Sequence, residues 1–398
     1  MGFEEIYGLT MIVFMVIYVI IILAFTYGII KPSNPSAHYP FIPLTHQHIN
    51  PLAHQHILLV SIIIPVRNER THILRLLEEI RTQDFPKNQM EVIVADDFSD
   101  DYTMDFAARF VGQHADFPLL LMSSGDVAPG EYGKKRAIER AVKQAKGEIL
   151  LFTDADTFHE PSWVSSMVAA FAHASQQMVL GPVAFCDAKN LLQKIQTLEF
   201  LGLMGTTAGS AWLGYPVMSN GANLAYRRNA FFETGGFSKS LRYGSGDDQF
   251  MLGAVRKLYG KGAISFNRDR SAIVTTEPEA SLSGFFRQRV RWVSKSPGYR
   301  DRAVLITGLV TYVLQVLLLA GYFLGFLFPV LFILSILVWI VKILLEYPMV
   351  RIMSRFFGKQ ELLGYYFIAQ LFQLVYVPLV GIMGLILPYR WKGRMGMH

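Results

Sequence analysis

Ile149-Leu150-Leu151-Phe152-Thr153-Asp154-Ala155-Asp156 is the stretch on which the fold of this chain turns. A short, unbroken apolar run closed by two carboxylates reads as a strand buried on both faces that releases its polar residues at its carboxyl end. Upstream, Val60–Pro65 and Glu91–Ala95 repeat the apolar pattern, and Leu119–Met122 adds a further short strand. Helical stretches lie between them. His72–Thr82 carries Ile73, Leu76, Leu77 and Ile80 at helical spacing, and Tyr102–Val111 follows the second strand. Lys134–Lys146 is a third helix, with Gly147 placed as a C-cap. Pro161–His173 is a fourth, with its proline in the first turn. Apolar strands alternating with helices imply an α/β architecture with a mostly parallel sheet covered by helices on both faces.

Ligands bind beyond the carboxyl ends of the strands in such sheets. The first strand runs into Pro65-Val66-Arg67-Asn68-Glu69, the second into Asp96-Asp97-Phe98-Ser99-Asp100-Asp101 and the fourth into Asp154-Ala155-Asp156. Acids therefore gather along one edge.

The rest of the chain is unlike a water-soluble domain. Of its 398 residues 52% are apolar and only 17% charged, against about a quarter charged in ordinary soluble domains. Uncharged runs at Leu9–Ile30, Ala303–Val341 and Leu362–Leu387 are each long enough for a hydrocarbon core of about 30 Å. The first follows Glu4 and Glu5 with no basic residue before it and no small-residue cleavage site after it, so it reads as a retained anchor. The division expected is an anchor at 1–31, a linker at 32–58, an α/β domain at 59–280 and an amphipathic interface segment at 281–302. A transmembrane hairpin at 303–345 turns near Gly325 and Pro329. A basic segment at 346–361, a transmembrane or re-entrant segment at 362–388 and a basic tail at 389–398 complete it. Pro378, Gly381 and Gly384 leave room for a bend in the last apolar segment.

Lys31, Arg300 and Arg302 flank the α/β part, which places it on the cytoplasmic side of an inner or plasma membrane. Arg351, Arg355 and Lys359 return to that side, whereas a full last span would leave Arg390, Lys392 and Arg394 outside. One cysteine, Cys186, excludes an intrachain disulfide and fits a reducing compartment. The net charge of +6 clusters near the apolar blocks and fits attraction to a lipid bilayer. No basic-aromatic repeat or recognition helix points to nucleic acid. The linker repeats His46-Gln47-His48-Ile49 as His54-Gln55-His56-Ile57; polar linker composition is the reading preferred over a metal site.

Two carboxylates two residues apart at a strand end suit a hard cation, Mg²⁺ or Mn²⁺, able to bridge a leaving diphosphate. Asp154 and Asp156 are those residues. Asp96 stands where a carboxylate accepts from a base N–H or a ribose hydroxyl, and Gly133-Lys134-Lys135 opens a helix whose N-terminus favours phosphate. Gly244-Ser245-Gly246-Asp247-Asp248 precedes the helical stretch Gln249–Leu258; a carboxylate there suits an acceptor hydroxyl that must lose its proton. Each of these also has a plain reading as a solvated turn or helix cap. Gln288-Arg289-Val290-Arg291-Trp292 offers a ring to stack on a sugar, and equally reads as a membrane-surface helix.

Taken together, these motifs resemble the family 2 glycosyltransferases of the GT-A fold, and most closely the membrane synthases that make cellulose, chitin, hyaluronan and poly-N-acetylglucosamine. The resemblance covers residues 60–292 in order, and Gln288-x-x-Arg291-Trp292 matches that branch's Q-x-x-R-W signature. It implies a Rossmann-like GT-A domain flanked by transmembrane helices, a UDP-sugar donor, and a polysaccharide or a membrane lipid as acceptor. A degenerate scaffold that binds nucleotide without turnover is the third reading, and an accessory subunit is left open. By the resemblance, Pro65, Arg67, Glu69, Asp96 and Asp97 hold the nucleoside and Asp154 contacts the donor; Lys134 joins the donor-binding residues on its place at a helix N-terminus. Asp154 and Asp156 hold Mg²⁺ or Mn²⁺, Asp248 with Asp247 supplies the base, and Gln288, Arg291 and Trp292 serve acceptor and diphosphate. Gly221-Ala222-Asn223-Leu224 resembles the family segment before the base. Arg67 stands where the family often has Tyr, Phe98 where it often has Gly, and Asp247 where it has Glu.

Overall fold

A computed structural model describes residues 2–31, 59–123, 133–241, 243, 246–387, 389–391 and 394–396. The linker with its histidine repeat, Gly244-Ser245 and Lys392 lie outside the described residues. The chain forms two compact units. One comprises Lys31–Val183 and Ser219–Glu277; the other comprises Met1–Ile30, Ala184–Met218 and Pro278–His398. Segment 184–218 thus groups with the apolar helices, although the sequence reading gives it to the α/β part.

In the α/β unit, β1 (Val60–Val66), β2 (Met90–Asp96), β3 (Leu119–Met122) and β4 (Ile149–Phe152) form the parallel part of a seven-stranded sheet. β5 (Thr157–His159), β6 (Met178–Leu180) and β7 (Val183–Phe185) follow; β7 carries the chain out of this unit. β8 (Leu224–Arg227) brings it back, pairs antiparallel with β4 and β6 and runs into the short α7 (Arg228–Glu233), and β9 (Ile264–Phe266) pairs parallel with β6. The sheet order is β3-β2-β1-β4-β8-β6-β9. A short strand, β10 (Val274–Thr276), pairs antiparallel with β5. The alternate residues Val60, Ile62, Ile64 and Val66 pack with α2 (Ile73–Arg81), α3 (Thr103–Gln113) and α5 (Trp163–Ala169). The opposite face, with Ile63 also fully buried, receives α4 (Lys134–Gln144). Central strands buried on both faces explain why the sequence shows unbroken apolar runs rather than alternation.

Two local expectations fail for physical reasons. α4 ends at Gln144 with Ala145 at its C-cap, so Gly147 is no cap. Its amide donates to Ser61 Oγ at 2.8 Å, and a Cβ there would lie 2.4 Å from the Ser61 nitrogen; close approach of two chains demands the glycine. Pro161 precedes the N-cap Ser162 and so lies outside α5.

The second unit is helical. α1 (Phe3–Ile30), α10 (Arg302–Leu324), α11 (Pro329–Phe356) and the segment Gln360–Ile386 containing α12 (Tyr366–Ile386) are long and apolar enough to cross a membrane. Leu9, Ile20, Leu309, Ile333 and Leu371 are more than 40% exposed on them, an apolar surface suited to lipid rather than water. α6 (Leu191–Trp212) is buried along most of its length and crosses α1 where Gly28 and Gly209 meet; a Cβ on Gly28 would stand 2.4 Å from the Gly209 carbonyl. α12 is one uninterrupted helix. Its glycines serve packing rather than bending: a Cβ on Gly381 would strike the Tyr312 ring at 2.0 Å, and one on Gly384 would strike Val293 at 2.6 Å. α9 (Leu282–Val293) sets Phe285 and Val290 against Tyr376 and Val380 of α12.

Inside this unit lies an ion pair. Lys342 Nζ is 2.8 Å from Glu346 Oε1 and donates to Gln370 Oε1 at 2.8 Å and Gln373 Oε1 at 2.9 Å. Tyr18 and Gln370 donate to Glu346, so α1, α11 and α12 share one polar network.

Candidate active site

Three acidic segments at the carboxyl edge of the sheet converge on the first turn of α4. Asp96 ends β2 and is 2% exposed; its Oδ1 accepts from the Ser99 amide at 3.1 Å. Asp97 Oδ1 accepts from the Gly133 amide at 2.7 Å, so this carboxylate already takes the first donor at the α4 N-terminus. Next along, Lys134 Nζ donates to Asp154 Oδ1 at 2.6 Å and stands 3.8 Å from Asp247 Oδ2. Burial alone would lower the Lys134 pKa, but Asp154, Asp247 and Asp248 outweigh it and hold the ammonium well above the ordinary lysine value. The lysine expected at a diphosphate therefore joins the strand-end acid to the acids of another helix.

The acids are aimed by their neighbours. Ala155 sits in the core between Asp154, half-buried, and Asp156, exposed. Pinning the middle residue turns both carboxylates away from the core. α8 (Asp247–Tyr259) begins after Gly246 in the left-handed region, φ 83°, which places Asp247 and Asp248 in its first turn, where negative charge is favoured. Asp248 Oδ2 accepts from the Gly221 amide at 3.1 Å and its Oδ1 from the Gln249 amide at 2.8 Å. Asn223, in the same segment as Gly221, is buried; it donates to the carbonyls of Pro182 and Ala272 and accepts from Trp163 Nε1 at 3.0 Å.

The β1 end builds a scaffold. Pro65 lies beyond the last β4 pair, at Ile63, and its missing N–H breaks no ladder on that side. Arg67 donates to the carbonyls of Asp97 and Phe98 at 2.6 and 2.9 Å and ties β1 to the loop after β2. Glu69 accepts from its own turn, 2.8 Å from His72 Nδ1. Phe98 adopts φ 59° and Asn68 φ 54°. Sequence reading missed Lys135, whose ammonium is buried on the Ser240 and Tyr243 carbonyls at 2.8 and 3.0 Å, 4.2 Å from the Phe250 ring. Two adjacent lysines opening a helix give no clue which of them faces inward.

Gln288, Arg291 and Trp292 belong to the helical unit. Here too the neighbour is informative: Arg289, between them, is 3% exposed and sets Nη2 2.6 Å from Glu199 Oε2 and Nε 3.2 Å from Glu199 Oε1. Its guanidinium lies 4.6 Å from the Phe285 ring and 4.2 Å from the Trp292 ring, and it donates to Gln288 Oε1. Tyr376 donates to Glu199 as well.

The metal fit is limited but sound in kind. Among the described residues no group of three or more His, Cys, Asp or Glu side chains could hold a metal. Asp154 and Asp156 offer carboxylate oxygens, which suit a hard cation that draws its remaining ligands from phosphate and water.

Comparison with known proteins agrees with this architecture. The family model "Glycosyl transferase family 2" matches residues 61–236, and "Glycosyl transferase family group 2" matches residues 149–386. Curated relatives include glycosyltransferase AglE of Haloferax volcanii, 31% identical over 32% of this chain and 40% of that protein. Probable glycosyltransferase YdaM of Bacillus subtilis is 25% identical over 58% of this chain and 54% of that protein. Poly-beta-1,6-N-acetyl-D-glucosamine synthase of Staphylococcus aureus is 24% identical over 51% of this chain and 46% of that protein. The chain thus spans about half the length of these relatives. Among solved structures, the mannosyltransferase PcManGT of Pyrobaculum calidifontis, in complex with GDP-Man and Mn²⁺, has 18% identity and a TM-score of 0.54 over 93% of this chain and 99% of that one; it bears out the fold. The GT-A sheet, the acids along its carboxyl edge and the match over more than half the residues make the chain a family 2 glycosyltransferase.

Proposed function

We propose that the chain is an inverting transferase that moves a sugar from a UDP-sugar to a growing β-linked polysaccharide at the membrane, with the α/β unit on the cytoplasmic side. The observation that carries this reading is the convergence of Asp97, Asp154 and Asp247 on Gly133 and Lys134, with Asp248 beside them on the Gly221 amide and its charge felt at Lys134. In it, Asp96 and Asp97 serve the nucleoside with Pro65, Arg67 and Glu69, and Asp154 and Asp156 hold Mg²⁺ or Mn²⁺. That cation, when bound, neutralises charge on the departing diphosphate. Asp248 is the better base of its pair: two amides orient it, whereas Asp247 shares the Lys134 ammonium. It takes the acceptor hydroxyl proton as the acceptor oxygen bonds to the anomeric carbon and the bond to the diphosphate breaks. Gln288, Arg291 and Trp292 are assigned to acceptor and diphosphate on the motif alone.

The polymer reading is supported by that motif and by the similarity to a poly-N-acetylglucosamine synthase. A second reading, single addition to a membrane lipid, is favoured by the modest helical unit, with four helices of spanning length among the described residues. Product length on a gel after incubation with labelled donor separates them; one-sugar lipid products alone exclude the polymer. For the base, Asp248→Asn is expected to lower kcat by roughly 10²–10⁴-fold while donor binding, followed by calorimetry, stays within a few-fold. Undiminished turnover in Asp248→Asn rejects the assignment.

A further inference from the structure

The acidic turn that follows β4 is held from behind by a buried polar group that the reaction itself does not use. Thr153 and Thr157 bracket Asp154-Ala155-Asp156, both are fully buried, and their hydroxyl oxygens are 2.8 Å apart. Thr157 Oγ1 donates to the Asp154 carbonyl at 2.6 Å and so closes the turn on itself. The His159 side chain is wholly buried, with Nε2 2.8 Å from Thr153 Oγ1 and Nδ1 3.3 Å from Glu79 Oε2. From α2, Arg75 and Glu79 grip the backbone that leaves the turn. Arg75 Nη1 donates to the Thr157 carbonyl at 2.8 Å, and the His159 amide donates to Glu79 Oε2 at 3.1 Å. Arg75 and Glu79 are themselves paired at 2.7 Å, Arg75 lies 3.7 Å from the Phe158 ring centroid, and His159 packs on Trp163.

Burying an imidazole is costly unless its nitrogens are satisfied, and here Thr153 and the half-buried Glu79 satisfy them. A surface turn that merely links β4 to β5 needs none of it. What the arrangement does supply is a fixed path from α2 to the backbone after Asp156 and, through His159, to the Thr153 hydroxyl before Asp154. We propose that Arg75, Glu79 and His159 are positioning residues that set the spacing of the two cation-binding carboxylates. Through the loop backbone they do what partners behind metal ligands commonly do, where loss costs about 10–100-fold in metal affinity. This rests on the assignment of Asp154 and Asp156 to a divalent cation.

The test is Mn²⁺ binding to the purified full chain in detergent, read by the loss of the free-ion EPR signal, with and without UDP. Wild type is compared with Glu79→Gln, His159→Phe, His159→Gln and Asp156→Ala, each held well below its measured melting temperature. Glu79→Gln and His159→Phe are expected to weaken Mn²⁺ about tenfold or more. His159→Gln, whose amide can still reach Glu79 and Thr153, is expected to recover most of the affinity. A merely structural role would shift melting temperature and leave Mn²⁺ affinity alone; equal affinity in wild type, Glu79→Gln and His159→Phe overturns the proposal while the cation assignment stands. Absence of Mn²⁺ binding by wild type, or unaltered binding by Asp156→Ala, removes the cation assignment and this inference with it.

Discussion

Phe98 follows the acidic pair at φ 59°, a left-handed conformation that costs a side-chain-bearing residue about 1–2 kcal/mol. Glycine at the equivalent place in related enzymes is thereby explained, and in this chain the carbonyl of Phe98 is held by Arg67 instead. Replacing Phe98 by Gly is expected to leave the protein about 1 kcal/mol more stable than replacing it by Ala, the reverse of their order in regular structure; denaturation of the two variants side by side measures it. His159 allows a pH prediction. Burial depresses its pKa below the ordinary 6.5, and the Glu79 carboxylate offsets this only in part. Below pH 6.5 the unfolded chain therefore binds more protons at this residue than the folded one, so its contribution is present above that pH and is lost as pH falls. Melting temperature should decline from pH 7.5 to 5.5, and decline less in His159→Gln. Asp96, Asp97, Asp154 and Asp156 are legible in the sequence because they close apolar runs, and Asp247 and Asp248 because a glycine-rich turn sets them before a helical stretch. Lys134 as their common partner is not, since nothing in Gly133-Lys134-Lys135 tells which acid each ammonium meets.

At the scale of elements, β1 to β4 and α2 to α4 stand where periodicity puts them, within two residues. Strands of three residues such as β5, β6 and β9 are too short to show a period, and their place depends on partners far along the chain. α6 escapes the same reading for another reason: it is buried on most sides, so its apolar residues form no stripe. Within the helical unit, Lys342 and Glu346 sit one turn apart on α11 and recruit Gln370 and Gln373 from α12 and Tyr18 from α1. Removing one partner leaves a buried charge uncompensated. Lys342→Met is accordingly expected to destabilise the helical unit by about 3–5 kcal/mol; Lys342→Met with Glu346→Gln together should recover much of that loss, as thermal unfolding in detergent would report.

For the whole molecule, the chain belongs to the family 2 glycosyltransferases and has a GT-A unit and a second unit whose helices fit a membrane protein. Segment 184–218 shows how the two are interleaved in sequence: the chain leaves the sheet after β6, forms α6 among the apolar helices and returns as β8. The sequence hides this because α6 is neither long-range apolar like α1 nor amphipathic like α2. The donor sugar depends on the shape of a pocket that residue spacing does not encode. The most direct measurement is therefore transfer of labelled sugar by the purified full chain across UDP-glucose, UDP-N-acetylglucosamine, UDP-galactose and GDP-mannose. Wild type is run with and without EDTA, beside Asp156→Ala. Turnover of a UDP-sugar that falls by about 100-fold or more in EDTA and in Asp156→Ala, and returns with Mg²⁺ or Mn²⁺, is the result predicted. Transfer that persists undiminished in chelator and in Asp156→Ala would contradict the account.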